Sequence, residues 1–231
     1  GPIYTSIEGS MADFGDALPE QLLALFGGGD MSTPEGFYQL ETFGMVAPIA
    51  LMVVTITIAA KALAGEEENR TMGLLLANPV SRRTVVAQKA ITMVLFGGFV
   101  GLAIFAGTAL GVLIGGVDLN LVNLAATCVL VTLIGLLFGA LSLVISAATG
   151  RVALAIFIPV GAALLFHTMN ALASLSDAWW GALSPFHYYL GNDPLNNGMD
   201  WGGAAVLTVL TIALIALAFP AFDRAEVREH A

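Results

Sequence analysis

KALAGEEENRTMGLLLANPVSRRTVVAQK, residues 61–89, is the long charged interval between the strongly apolar segments of this chain. Its three adjacent carboxylates, at 66–68, would fan through roughly 200° of a helix, so this backbone does not lie in hydrocarbon on any side. Met72 and the leucines at 74–76 follow at once, although a water-exposed segment gains nothing from adjacent leucines. The pattern predicts a short helix at the membrane surface that packs its apolar side against another surface.

The composition predicts an all-α, polytopic integral membrane protein. Of 231 residues, 58% are hydrophobic and 11% are charged. Several apolar runs exceed the roughly 20 residues that a membrane-spanning helix requires. The length allows one membrane domain and no second globular one. The single cysteine, Cys128, lies inside an apolar run, where we expect it to serve packing.

Five spanning helices are predicted, and an acidic segment precedes them. The spans cover about residues 43–63, 83–116, 121–148, 152–173 and 202–219, within a membrane domain of residues 43–231. Residues 1–42 form an extracytoplasmic segment without a single Lys or Arg. Two short amphipathic helices are expected in it, near residues 19–26 and 34–42.

The basic residues set the predicted orientation. With the first segment outside, all eight Lys and Arg lie at the inner face: Lys61, Arg70, Arg82, Arg83, Lys89, Arg151, Arg224 and Arg228. By the positive-inside rule, the region 64–82 and the C-terminus are then cytoplasmic. Residues 174–200, which are polar and rich in aromatic side chains, are expected to form short interfacial helices at the outer side.

Local signals mark several helix ends. Gly65 is a natural stop for the first span, and the glutamates after it favour the positive N-terminal end of the next helix. Ser81 is a predicted N-cap for the second span. Pro159 predicts a kink in the fourth span and a carbonyl freed from its helical hydrogen bond.

Glycines four residues apart occur in the second span, as Gly97-x-x-x-Gly101 and as Gly107-x-x-x-Gly111-x-x-x-Gly115. This spacing permits close approach of the backbones of two membrane helices. It is compatible both with packing inside one chain and with a face for a second subunit, and the sequence leaves the two alternatives open.

Motifs for chemistry are absent from the sequence. It contains no Gly-x-x-x-x-Gly-Lys-Ser/Thr loop, no His-Glu-x-x-His and no nucleophile elbow. No Asp, Glu or Arg lies near the middle of a span, which disfavours an ion-coupled carrier. We therefore expect no catalytic residue, metal or cofactor in this chain, no nucleic-acid partner, and an energy source that lies outside it.

One segment resembles the signature of ABC type-2 exporter permeases: Glu66-Glu67-Glu68-Asn69-Arg70-Thr71-Met72-Gly73-Leu74-Leu75-Leu76-Ala77-Asn78-Pro79-Val80-Ser81-Arg82. Lys89 stands at the lysine position of that signature. The chain departs from it at Arg70, where a glycine is usual, and at Gly73, where a glutamate is usual. The charged tail and one outer segment are also similar to that family: Ser184-Pro185-Phe186-His187-Tyr188.

The resemblance implies a half-transporter with six spans and both termini inside. Five spans are predicted here, so one helix before Gly1 is expected to have been removed, to come from another chain, or to lie outside this sequence. Two permease subunits, identical or different, would face each other above two ATP-binding subunits that hold ATP and Mg. The chain itself would not be an enzyme, and it would lie in the cytoplasmic membrane of a prokaryote.

The short helix over residues 66–78 would then be the coupling helix, seated in a cleft of the ATPase. The interface residues implied in this way are Glu66, Glu67, Glu68, Thr71, Met72, Leu74, Leu75, Leu76, Pro79, Ser81 and Arg82. Two alternatives stay open. The helix lies flat on lipid headgroups, or the chain is a non-ABC scaffold or assembly factor that docks a cytosolic protein through this helix.

The first and fourth spans would line the transport path at the subunit interface, with Thr55, Thr57, His167 and Asn170 as candidates. His167 and Asn170 share a helix face near one end of the fourth span, where ordinary interfacial hydrogen bonding is the alternative role. The spans are poor in polar residues, which favours export of an amphiphilic or hydrophobic substrate, such as a drug, an antibiotic or a lipid, over a hydrated ion.

Overall fold

The computed structural model describes residues 33–69, 81–176 and 178–225. Five helices in these ranges are long and apolar enough to cross a membrane, which confirms the predicted all-α membrane fold. In chain order the elements are α1 (Pro34–Ala62), α2 (Ala64–Glu68), α3 (Arg82–Gly115), α4 (Leu121–Thr149), α5 (Val152–Ser174), a 3-10 turn (Trp179–Leu183), α6 (Pro185–Leu190), α7 (Pro194–Asn197) and α8 (Trp201–Ala225). Successive spans run in opposite directions. We call the two ends of the bundle the α2 end and the α6 end.

Most helix ends fall where local signals predict them. Ser81 caps α3, because its Oγ accepts the Thr84 N–H at 3.2 Å. Gly116 ends α3 and Gly150 ends α4, with φ angles of 64° and 60° that lie in the left-handed region. Both ends of α4 and of α5 lie within one residue of their predicted positions.

The first span begins earlier than the sequence indicates. The helix Pro34–Ala62 continues through the predicted boundary at residues 42–43. The short helix predicted over 34–42 is therefore part of the span, because Leu40 and Phe43 are buried in the core and hold these turns on the bundle. The helix predicted near residues 19–26 lies outside the described residues.

The last span extends past its predicted end at residue 219. Pro220 lies inside α8, and the helix continues to Ala225. A proline removes one backbone hydrogen bond, and packing can hold the helix beyond it. Phe222 supplies that packing: it is buried, and the guanidinium of Arg82 lies over its ring, 5.9 Å from the centroid.

The central helix of the bundle is α4. Among the described spans it is the most buried, whereas α3, α5 and α8 present most of their surface outward. Two glycines allow α1 to approach it closely. A Cβ added at Gly135 would lie 2.8 Å from Leu51 Cβ, and one added at Gly139 would lie 2.7 Å from Thr55 Cβ. Side chains larger than glycine at these positions would push the two helices apart.

The core consists of two hydrophobic clusters, and both include α4. The larger one joins Phe43 of α1, Phe138 of α4 and Tyr189 of α6. The second, towards the α2 end, includes Met93 of α3 and Leu143 of α4. Packing on both clusters fixes α4 between the other spans.

The two glycine motifs of α3 have different surroundings. A Cβ added at Gly97 would lie 2.7 Å from Leu136 Cδ2 of α4, and one added at Gly101 would overlap a threonine of α4. An added Cβ at Gly107 or Gly111 would have no atom of another side chain or helix within 4 Å in the described structure. The first motif therefore packs within the chain, and the second faces away from the bundle.

Candidate functional site

A hollow of about 440 Å³ lies between α1 and α5. Its walls are apolar except for two side chains, Thr57 and His167. The residues that line it are Gly44, Met45, Pro48, Ile49, Met52, Val53, Ile56, Thr57, Ile156, Val160, Ala163, Leu164, His167 and Phe186. The first and fourth spans, which the sequence analysis predicts to line a path, therefore form its two walls.

Two of the four side chains predicted for the path line this hollow. Thr57 and His167 do so, from α1 and α5 respectively. Thr55 does not, because it is fully buried against α4, where its hydroxyl donates to Gly135 O at 2.7 Å. Residues two apart on a helix point roughly 200° apart, so the two threonines take opposite faces. Asn170 is half-buried and is not among the lining residues.

The α6 end of the hollow is closed by a segment that the sequence analysis does not place at a site. Phe186 lines the hollow, and its ring packs edge-to-face on the imidazole of His167 with the centroids 5.0 Å apart. Ser184 holds this segment in place: its Oγ accepts the Phe186 N–H at 3.2 Å and donates to Phe166 O at 2.8 Å. The Ser-Pro pair, which is typical of a helix start, is the local signal that marks it.

The wall that α1 contributes includes π-helical turns over Gln39–Val46. Such turns are rare in proteins, and those that occur are often found at functional sites. The Phe43 carbonyl in these turns accepts the hydroxyl of Tyr189, from α6, at 2.8 Å. Burial, with a further contribution from Cys128, raises the pKa of Tyr189, so its hydroxyl remains a donor. This hydrogen bond ties α6 to the α1 wall.

Behind the hollow, α4 compensates for Pro159 of α5. Proline has no N–H, so the carbonyl of Ala155, four residues earlier, loses its helical donor. The fully buried Ser142 of α4 donates to Ala155 O at 2.7 Å, and its Oγ is also 3.1 Å from Ile56 O of α1. The carbonyl that the sequence predicts to lose its helical donor is therefore bonded to Ser142 instead, and α5 stays one helix through Pro159.

At the α2 end, a single residue, Leu63, separates α1 from α2. The sequence indicates that Gly65 ends the first span, but Gly65 lies inside α2. The break is set by Ser146 of α4, whose Oγ donates to Ala60 O and accepts the Ala64 N–H, both at 3.0 Å. In the described residues, the helix predicted over 66–78 instead covers Ala64–Glu68: Glu66 and Glu67 lie in its first turn, as predicted, where the helix dipole favours negative charge, but Glu68 is its last residue.

The carboxylates of α2 contact other helices of the same chain. Glu66 forms a salt bridge with Lys89 of α3, with 3.1 Å between Oε1 and Nζ. The Oε1 atom of Glu68 accepts the N–H of Val152, the first residue of α5, at 2.9 Å. Contacts within the chain thus engage carboxylates that the resemblance assigns to the ATPase interface.

Apart from Glu67, the other predicted interface residues fall into two groups. Ser81 and Arg82 have partners in the bundle, the start of α3 and the ring of Phe222 respectively. The second group lies outside the described residues: Thr71, Met72, Leu74, Leu75, Leu76 and Pro79. In the part of the chain that the structure describes, no three His, Cys, Asp or Glu side chains are close enough to hold a metal ion.

The fold and the hollow define a polytopic helical membrane protein with a small-molecule-sized space between two spans. Residues 20–227 match the family model described as ABC-2 family transporter protein. The chain therefore belongs to the ABC-2 transporter family, and it is a multi-pass ABC transporter permease. Searches of curated proteins and of solved structures gave no significant match.

Proposed function

We propose that this permease is the membrane subunit of an ATP-driven exporter of amphiphilic or hydrophobic compounds, such as a drug, an antibiotic or a lipid. A separate ATP-binding subunit binds ATP and Mg and docks on the segment 66–78. Closure of that subunit on ATP moves this segment and switches the access of the substrate path. The chain itself carries no catalytic residue.

The hollow between α1 and α5 carries this proposal. Its volume of about 440 Å³ lies in the range of small-molecule sites, which are mostly apolar with a few polar groups. Thr57 and His167 are the polar side chains of its lining. Such a lining favours a cargo with an apolar body and one polar end, because a hydrated ion would lose water without gaining partners.

The openness of the hollow supports a second permease subunit, identical or different. Val53 of α1 and Leu164 of α5 both line the hollow, and they are 60% and 65% exposed. The hollow therefore opens on the outer surface of the bundle. A second subunit placed on this face would enclose it and form a path between the two chains.

We place the permease in the cytoplasmic membrane of a prokaryote, and the distribution of basic residues supports a C-terminus in the cytoplasm. Every Lys and Arg of the described residues lies at the α2 end: Lys61, Arg82, Arg83, Lys89, Arg151 and Arg224. Positive charge is retained on the cytoplasmic side of such membranes. The α2 end, and the segment 66–78 with it, then faces a soluble ATP-binding subunit.

Reconstitution of the purified complex tests the proposal. The tagged permease should co-purify an ATP-binding protein, and inside-out vesicles that contain the complex should accumulate apolar fluorescent dyes only with ATP. Leu74→Glu with Leu75→Glu should abolish both results, because charges among the leucines of the segment 66–78 oppose its burial against a partner.

Leu183→Glu is the matched control, since Leu183 is an exposed leucine at the α6 end. Undiminished co-purification in the double variant would contradict docking through residues 66–78. Capture of a cytosolic protein without an ATP site, with no dye movement in any vesicle, would favour the scaffold alternative.

A further inference from the structure

The short helix α2 is connected to both walls of the hollow. On one side it continues from α1 through the single residue Leu63. On the other side, Glu68 at its last position holds Val152 at the first position of α5. Because α1 and α5 line the hollow, a displacement of α2 can reach both walls at once.

The bond between Glu68 and Val152 replaces the cap that α5 lacks. The first N–H groups of a helix have no partner inside the helix and need an acceptor from elsewhere. Arg151, the N-cap residue, makes no side-chain capping bond. The Glu68 carboxylate supplies the acceptor at 2.9 Å, and its charge is attracted to the positive end of the helix dipole.

The opposite end of α2 is held by the most buried span. Ser146 of α4 accepts the Ala64 N–H at the start of α2 and donates to Ala60 O at the end of α1. Glu67 contacts the turn between α4 and α5, where a Cβ added at Gly150 would overlap its carboxylate. One end of α2 is thus fixed on α4, and the other end is bonded to α5.

We propose that Glu68 is a positioning residue that makes the start of α5 follow α2, so that both walls of the hollow move together when α2 turns about Ser146. The proposal rests on the proposed function, because the displacement of α2 would come from the ATP-binding subunit on the adjoining segment. The carboxylate acts through the α5 backbone and does not touch the cargo.

Two spin-label distances in the complex test this linkage. In a Cys128→Ser background, the distance between labels at Asn69 and Ala148 reports the position of α2 relative to α4. The distance between labels at Leu154 and Ala148 reports the position of α5 relative to α4. These three positions are exposed. A non-hydrolysable ATP analogue should change both distances in the otherwise native chain. With Glu68→Ala, the first change should persist and the second should fall to less than half.

Two further variants separate the hydrogen bond from a general loss of structure. Glu68→Gln keeps an acceptor and should keep most of the α5 shift. Val152→Pro removes the donor and should reduce the shift as Glu68→Ala does. The helix should tolerate this proline, because proline suits the first position of a helix and Arg151 before it is extended, with φ −118° and ψ 112°. Asp223→Ala, which removes an exposed carboxylate at the same end of the bundle, should change neither distance. An α5 shift of full size in Glu68→Ala would overturn the proposal.

A measurement on the permease alone separates this proposal from the proposed function. If the analogue moves neither label pair in the native chain, the ATP-driven mechanism is wrong. Hydrogen exchange at the Val152 amide still reports the linkage: Glu68→Ala should accelerate it about fivefold, the effect of losing a helix cap. Glu68→Gln should accelerate it less. Equal exchange in the native chain and in both Glu68 variants would overturn the linkage itself.

Discussion

The hydroxyl of Ser142 donates to the carbonyl oxygen of Ala155 at 2.7 Å, and this is the carbonyl that Pro159 deprives of its helical donor. A proline in one span is therefore matched by a serine in another. The fully buried pair lies directly behind the hollow, since Ile56 and Ile156 beside it are lining residues. Proline is tolerated in a membrane-spanning helix because a neighbouring group satisfies the carbonyl that loses its helical donor.

Ser142→Ala should destabilise the permease by about 1–3 kcal/mol, because it leaves a buried carbonyl without a donor. The cost should fall below about 1 kcal/mol in a Pro159→Ala background, where the backbone N–H at position 159 is available for Ala155 O. Thermal unfolding in detergent of the two single variants and the double variant measures the coupling. An equal cost of Ser142→Ala in both backgrounds would show that Ser142 does not serve this carbonyl.

Gly139→Ala should also destabilise the permease, by about 1–3 kcal/mol, because the added methyl group overpacks the contact between two helices. The new Cβ would lie 2.7 Å from Thr55 Cβ and 2.9 Å from the Met93 sulfur. Gly107→Ala is the matched control, since its Cβ would meet no such neighbour within 4 Å in the described structure. The control should be neutral or stabilising by up to about 1 kcal/mol, as helix propensity predicts. The same unfolding assay decides, and equal effects at the two glycines would contradict the packing described.

Cysteine labelling should distinguish the two threonines of α1. In a Cys128→Ser background, Thr57→Cys and His167→Cys should react with a small thiol reagent, because both positions line the hollow. Thr55→Cys should react at least ten times more slowly, because that position is fully buried against α4. A transported dye should slow labelling at Thr57 and at His167. Labelling that no dye affects would remove these side chains from the substrate path.

Tyr189→Phe should cost about 1–2 kcal/mol, because it leaves the Phe43 carbonyl of the π-helical turns without its hydroxyl donor. The pKa of Tyr189 is raised by burial, so the bond contributes fully below the unfolded tyrosine pKa of about 10 and is lost only as the pH rises through the higher folded value. The cost should therefore be the same at pH 6 and pH 9. Tyr188→Phe is the control, and an equal loss of stability there would contradict a specific role for Tyr189.

Local signals in the sequence were sufficient where a helix end depends on the residues around it. Ser81, Gly116 and Gly150 end or begin helices because a side-chain cap or a left-handed φ angle needs no distant partner. The same reasoning was wrong at Gly65 and at the start of the first span. There, Ser146 of α4 and the burial of Phe43 set the helix boundaries, and both effects come from remote parts of the chain.

The lining of the hollow overlaps in part with the residues that the sequence analysis named for a substrate path, and that path itself stays a prediction. The two spans that form the hollow were identified, and so were Thr57 and His167. Thr55, which was also named, packs against α4 and does not line the hollow, whereas Phe186 lines it and was not named. Sequence spacing shows that Thr55 and Thr57 take opposite faces, but it does not show which of the two faces meets α4.

The sequence by itself determined the membrane class and the five spans found in the described residues, because the length and apolar character of a segment are properties of the linear chain. Only the tertiary structure decided which face of each span packs inward and which carbonyl each buried hydroxyl binds. In a water-soluble helix the polar face reveals the orientation, but a span with apolar residues all round carries no such signal. Close contacts such as that of Gly139 with Thr55, and single bonds such as that of Glu68 with Val152, therefore became visible only when the helices were assembled.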